Sequence, residues 1–354
     1  MKEKILSFLA VLMCLSVTLC GCDGKNEVNS GNNESVYDPF EEPVSEEMYT
    51  YPDYTVTWEY DNIAHLSYNG DSVSVTLQID NKKRQTSLGF VTFVDGYCVP
   101  STIDNKTGMM NIVTFAKDES KDIKISFSPT SGEKGDILSA RIMTVIEPEY
   151  LPSFTNGDSS FGHFHDIGST ALAEIKLNAT PKSVRRNCKS AVTDDITDEI
   201  RNKYHVDEKA FSKEQYEKFI NNQELPISER DPDATYMTNS FWCCYDNEIN
   251  VSHINYTASD KSRVTLNLSA LASTSADYRV TVFANNKPIT SIDGYECAEF
   301  KTRLEGYSHT ELTYDFSKYG EKVLIYAVVV PVTKVNNDIY WDDEQKTPSF
   351  VLLF

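Results

Sequence analysis

Ser72-Val73-Ser74-Val75-Thr76-Leu77-Gln78-Ile79 alternates polar and apolar residues without a break. A period of two places Val73, Val75, Leu77 and Ile79 on one face of an extended chain, so this stretch reads as a half-buried strand and not as a helix. The same lettering returns at Arg263-Val264-Thr265-Leu266-Asn267-Leu268. The runs that follow the two strands also match. Gly89-Phe90-Val91-Thr92-Phe93 is echoed by Tyr278-Arg279-Val280-Thr281-Val282-Phe283, and Ile125-Ser126-Phe127 by Leu312-Thr313-Tyr314. Gly132-Glu133-Lys134 parallels Gly320-Glu321-Lys322, and each turn leads into an apolar run ending in proline, Ile142 to Pro148 and Ile325 to Pro331. Tyr60-Asp61-Asn62 recurs as Tyr245-Asp246-Asn247. The offset stays between 183 and 190 residues in constant order, which points to a tandem duplication.

Between and beside these runs lie further short β-branched and aromatic segments, Met110 to Ala116 and Leu138 to Ile146, separated by Gly, Pro, Asn and Asp. Each copy closes on a late strand, Ala171 to Leu177 and Ser349 to Phe354. The fold class expected is all-β: two tandem immunoglobulin-like antiparallel β-sandwiches over residues 49–180 and 236–354. Residues 181–235 are expected to form a helical connector. Thr193-Asp194-Asp195-Ile196 has capping and acidic residues suited to a helix start, with Ile196, Ile200 and Tyr204 on one stripe. A second helix is expected from Ser212, where Gln215 completes a capping box, and Leu225-Pro226 ends it.

The first 48 residues differ in kind. Lys2 and Lys4 precede an apolar run from Ile5 to Leu19, which is too short to span a bilayer comfortably and reads as a secretory signal over residues 1–21. It ends in Leu19-Cys20-Gly21-Cys22, a small residue directly before a cysteine. This closing motif resembles the lipobox of bacterial lipoproteins, and the resemblance covers residues 1–22. It implies cleavage before Cys22, acylation of the Cys22 thiol, and residence on the outer, extracytoplasmic face of the cell membrane. Two acyl chains give a stable anchor where one is marginal. Residues 22–48 are rich in Gly, Asn, Ser and acids with no apolar periodicity, and read as a disordered tether reaching on the order of 30 Å.

Charge and cysteine content narrow the partners. The chain carries 33 basic and 53 acidic residues, a net charge of −20, with no cluster of Lys and Arg to neutralise phosphates, so nucleic acid is not an expected partner. With Cys22 acylated, Cys98, Cys188, Cys243, Cys244 and Cys297 remain, and five cannot all pair within one chain. The spacing has no Cys-x-x-Cys pair and no dense framework. Buried thiols are the first reading, with a bridge from Cys243 or Cys244 to Cys297 as the alternative. Ser240-Phe241-Trp242-Cys243-Cys244-Tyr245 reads as a strand that sends the two cysteines to opposite faces.

Few residues point to chemistry. Ser131-Gly132-Glu133-Lys134, Ser67-Tyr68-Asn69 and Lys106-Thr107-Gly108 have the residue types of the penicillin-recognising serine enzymes. Their order is wrong, and the serine lies in a Gly-flanked turn rather than opening a helix. His163 and His165 are two residues apart, so a strand would present both to one metal, although the surrounding Gly and Ser favour a solvated loop. Asp338, Tyr340, Trp341 and Asp342 join flat aromatics to carboxylates, a combination that stacks on sugar rings and bonds hydroxyls; packing over the sandwich end is the competing reading. Trp58 and Trp242 read as core anchors. No Gly-rich phosphate loop, His-Glu-x-x-His or Gly-x-Ser-x-Gly occurs, and no cofactor is expected. The functional expectation is a non-catalytic, lipid-anchored binding or adhesion protein of the bacterial envelope, with a glycan, cell wall or protein ligand. A structural or accessory subunit of an envelope complex is the alternative, and a hydrolase the third reading.

Overall fold

A computed structural model describes residues 53–58, 64–149, 167–207, 209–226, 229, 239–245, 255–332, 345–347 and 349–354. The first sandwich comprises β1 (Tyr54–Trp58), β2 (Ala64–Tyr68), β3 (Val73–Asn81), β4 (Thr86–Val94), β5 (Tyr97–Val99), β6 (Ser101–Ile103), β7 (Lys106–Gly108), β8 (Met110–Phe115), β9 (Ser120–Phe127), β10 (Ile137–Ile146) and β11 (Ile167–Leu177). A connecting segment supplies β12 (Cys188–Ser190), β13 (Val192–Asp195), α1 (Asp198–Lys203) and α2 (Lys213–Glu224). The second sandwich has β14 (Ser240–Tyr245), β15 (Asn255–Thr257), β16 (Val264–Ala272), β17 (Asp277–Ala284), β18 (Lys287–Pro288), β19 (Cys297–Lys301), β20 (Gly306–Tyr314), β21 (Lys322–Pro331), β22 (Gln345–Lys346) and β23 (Phe350–Leu353).

Strand order makes both sandwiches immunoglobulin-like. One sheet of the first runs β1-β3-β9-β6-β7 and the other β2-β11-β10-β4-β5, with β8 also on β4. The opening strand therefore changes sheets: β1 pairs antiparallel with β3, while β2 pairs parallel with the closing strand β11. The second sandwich repeats the device. There β14 pairs antiparallel with β16, and β15 pairs parallel with the closing strand β23. The matched sequence runs occupy equivalent strands, β3 with β16, β4 with β17, β9 with β20 and β10 with β21.

The alternation seen in the sequence is the burial pattern of β3. Val73, Val75, Leu77 and Ile79 are buried, while the residues between them face outward. In β4, β10 and β21 the alternation gives way to continuous burial, because these strands are covered on both faces. One set of side chains fills each sandwich core, Phe90 and Ile142 in the first, Val282 and Ile325 in the second. The other set meets between the sandwiches. Val91, Phe93, Met143 and Val145 pack against Phe283, Leu324, Tyr326, Val328 and Val330 in a third apolar cluster. The result is four stacked sheets, two from each copy. All the described residues fall in one compact unit of the chain, Pro39–Phe354.

Polar contacts fix the register of this seam. Arg279 on β17 donates to the backbone carbonyl and carboxylate of Asp95, 3.0 Å to the latter, and also meets Glu299 at 3.3 Å. Its guanidinium carbon lies 3.9 Å from the centre of the Tyr97 ring. The Asn286 side-chain amide donates to the Pro148 carbonyl. At Gly96 (φ +74°) an added Cβ would stand 2.9 Å from Val332 Cγ2 and 3.1 Å from Arg279 Cβ, so both backbone and second sandwich require glycine.

The connector differs from the expected helical segment. Residues 192–195 form β13, pairing antiparallel with β20, and β12 pairs parallel with β19. The helix expected from Thr193 begins later, with Thr197 as N-cap. The reason is non-local: β13 covers an edge of the second sandwich, Thr193 Oγ1 meets Ser308 Oγ at 2.8 Å, and Asp195 pairs with Arg303. The second helix starts at the expected N-cap, with Ser212 Oγ accepting from the Gln215 N–H; Gln215 Oε1 accepts from the Phe211 N–H, one residue before the N–H that a capping box would use.

The buried-thiol reading holds for Cys98 and Cys243 and fails at Cys188 and Cys297. Cys188 bridges to Cys297, directly opposite it in the β12–β19 register, with Cα atoms 4.6 Å apart. Cys98, Cys243 and Cys244 are free thiols. A bridge from Cys243 or Cys244 to Cys297 does not form, because Cys243 points into the second core and Cys244 to the opposite face of its own sheet, while Cys297 belongs to the other sheet.

Candidate functional site

The sheet β13-β20-β16-β14 turns one face to the second core and the other away from it. Alternation sends Phe241, Cys243, Leu266, Leu268, Leu312 and Tyr314 inward. It sends Trp242, Cys244, Asn267, Ser269, Tyr307, His309, Glu311 and Asp194 outward. The register sets these in rows: Trp242 opposite Ser269, Ser269 opposite His309, His309 opposite Val192, with Cys244, Asn267 and Glu311 in a neighbouring row. Trp242, expected as a core anchor, is thus on the outer face.

Part of this face is roofed by the end of α1. Tyr204 lies with its ring centre 4.6 Å from that of Trp242 and 5.7 Å from that of Tyr307. Its hydroxyl donates to Ser269 Oγ at 2.6 Å and sits 3.2 Å from the Tyr307 hydroxyl. Burial pushes the Tyr204 hydroxyl far above the ordinary tyrosine value, and raises Tyr307 as well, so both phenols are neutral. The Tyr307 ring stacks on His309, with centres 4.9 Å apart and planes 16° from parallel. His309 Nε2 lies 3.1 Å from Asp194 Oδ2, which orients the imidazole. Lys189 Nζ donates to the Glu311 carbonyl. A cavity of about 70 Å³ opens among Lys203, Tyr204, Cys244, Asn267, Tyr307 and His309. Burial lifts the Cys244 thiol to about 11 against the lowering effect of Lys203.

Ser269, His309 and Asp194 have the residue types of a nucleophile, base and orienting acid. Ser269 is buried beneath Tyr204, whose hydroxyl occupies its oxygen, and the neighbouring backbone groups are committed to the β16–β20 ladder. Around it lies a half-buried Tyr307–His309 stack flanked by amide, carboxylate and ammonium groups.

A second concavity, about 220 Å³, lies at the seam between the sandwiches and is lined by Tyr97, Cys98, Met109, Arg186, Glu296 and Cys297 among others. Arg186 donates to Glu296 at 2.7 Å and Thr130 at 2.8 Å. Burial pushes the Cys98 thiol up to about 12, with Arg186 acting in the opposite direction.

The residues singled out from sequence, Cys22, His163, His165, Asp338, Tyr340, Trp341 and Asp342, lie outside the described residues. The outer-face residues were missed for a definable reason. Their only sequence signal is the Tyr307-x-His309-x-Glu311 spacing, and Tyr204 joins them from a connector more than 100 residues away.

No family model matches this chain, and no curated protein does. Solved structures similar to it include the Salmonella enterica SafA pilin in complex with the SafB chaperone, at 7 % identity and TM-score 0.25, covering 85 % of this chain and 96 % of that one. The E. coli chaperone DraB is similar at 7 % identity and TM-score 0.23, covering 86 % and 100 %. A CARDB domain from Pyrococcus furiosus in complex with di-metal ions is similar at 13 % identity and TM-score 0.20, covering 36 % and 89 %. The strand order described above, not these likenesses, defines the fold.

Proposed function

We propose that this chain is a non-catalytic, lipid-anchored extracytoplasmic protein of a bacterial envelope that binds a glycan through the outer face of its second sandwich. The reading rests chiefly on the stacked Tyr307–His309 pair, half-buried on the outer face of the sheet and bordered by Asn267, Glu311 and Asp194. Aromatic faces pack against the C–H faces of pyranose rings, while amides and carboxylates bond their hydroxyls. Ser269 is engaged by Tyr204, and this favours binding over acyl transfer. Acylated Cys22 and the tether would hold the body at the membrane.

The test is binding of the purified protein to isolated envelope polysaccharides and a glycan array, beside Tyr307→Ala. Loss of a stacking surface is expected to weaken binding by about tenfold, equivalent to about 1.4 kcal/mol. Unchanged affinity in Tyr307→Ala, no glycan bound by the wild type, or release of hydrolysis products would each refute the reading. Fractionation of Cys22→Ala tests the anchor: the variant should move to the soluble fraction.

A further inference from the structure

Three cysteines converge at the seam, and only two are bridged. In β19, Ala298 and Phe300 belong to the second core, so the alternate residues Cys297 and Glu299 look toward the first sandwich. Glu299 accordingly meets Arg279, which also holds Asp95 of the first sandwich. In β5, Val99 belongs to the first core and Cys98 to the seam cluster. Cys98 and Cys297 thus approach the seam from opposite sandwiches, and both line the same cavity of about 220 Å³. Cys188 reaches Cys297 from the connector, through β12.

We propose that Cys98, Cys188 and Cys297 form one exchange unit, in which Cys98 replaces Cys188 as partner of Cys297 and moves the crosslink from the connector to the seam. Cys98, as thiolate, attacks Sγ of Cys297. The Cys98–Cys297 bond forms and the Cys188–Cys297 bond breaks. The electron pair leaves on Cys188 Sγ, which takes up a proton equivalent to the one Cys98 gave up, so there is no net oxidation or reduction. The cavity supplies room for the side chains to turn. Burial keeps Cys98 protonated in the resting fold and so holds the exchange in check. Its structural consequence is specific: β12 loses its covalent tie to β19, and the two sandwiches gain one.

The experiment uses full-length Cys188→Ser in a glutathione redox buffer, followed by alkylation, digestion without reduction and mass spectrometry. The expected result is a Cys98–Cys297 peptide as the dominant crosslink, with loss of alkylation at both residues, and no such peptide in the Cys98→Ser/Cys188→Ser double variant. Cys297 remaining alkylatable, or pairing instead with Cys243, Cys244 or glutathione, would overturn the proposal. If Cys188→Ser does not fold, partial reduction of the wild type decides: the Cys98–Cys297 peptide should arise alongside free Cys188. Detection of Cys188–Cys297 alone at every stage of reduction would overturn it equally.

Discussion

Cys243 and Cys244 are neighbours in sequence with separate environments, and the strand period alone distinguishes them. Cys243 is sealed in the second core, where burial drives its thiol well up; Cys244 is half-buried beside Lys203 and raised to about 11. Alkylation by iodoacetamide consumes thiolate, so the Cys244 rate should climb about tenfold per pH unit from pH 7 to 10, where an ordinary thiol near 8.5 would already level off. A plateau by pH 9 in site-resolved mass spectrometry would contradict the burial described for Cys244. The opposite facing of these two residues was legible because it depends on local period. The Cys188–Cys297 bridge was not, since it joins residues 109 apart through a parallel strand pair that neither sequence announces. Trp242 was misread for a similar reason: whether a strand's aromatic residue faces a core depends on which sheet face receives the helix above it.

Among the elements, the strands were legible wherever one face is buried, and β14 was readable to the residue. Helix α2 was legible from chemistry that acts within four residues, and it should respond accordingly. Ser212→Ala removes the acceptor for the Gln215 N–H and is expected to cost about 1 kcal/mol, measured as a shift in urea midpoint with unchanged slope. A cost near zero would mean that α2 is held by its packing alone. The start of α1 was misplaced because Thr193, Asp194 and Asp195 look like capping residues, while their actual partners, Ser308, His309 and Arg303, belong to the second sandwich. A local signal lost to cross-strand pairing with a distant segment.

At the scale of the whole molecule, the apolar runs of β4, β10 and β21 carried more information than strand position. Runs that abandon alternation are covered on both sides, and here the second cover is the other copy. Phe283 and Tyr326 stack with ring centres 5.3 Å apart within that seam. The buried titratable groups add a pH dependence of definite sign. The Cys98 thiol rises from an ordinary value of about 9 to about 12 in the fold, so the folded state holds its proton more tightly than the unfolded chain. That contribution is complete below pH 9 and is lost as pH rises to 12, in all about 4 kcal/mol. Tyr204, Tyr314 and Tyr326 are raised by burial and act in the same direction. Denaturation at stepped pH should therefore show stability falling above pH 9, less steeply in Cys98→Ala; a flat profile to pH 12 would contradict it.

The duplicated sandwiches form one body joined by the Val91, Phe93, Phe283, Tyr326 and Val328 seam, which holds the Tyr307–His309 face outward. Differential scanning calorimetry of the chain reports whether the two sandwiches unfold together. One transition is predicted, with calorimetric and van't Hoff enthalpies equal. Two resolved transitions, each matching a single sandwich, would contradict it.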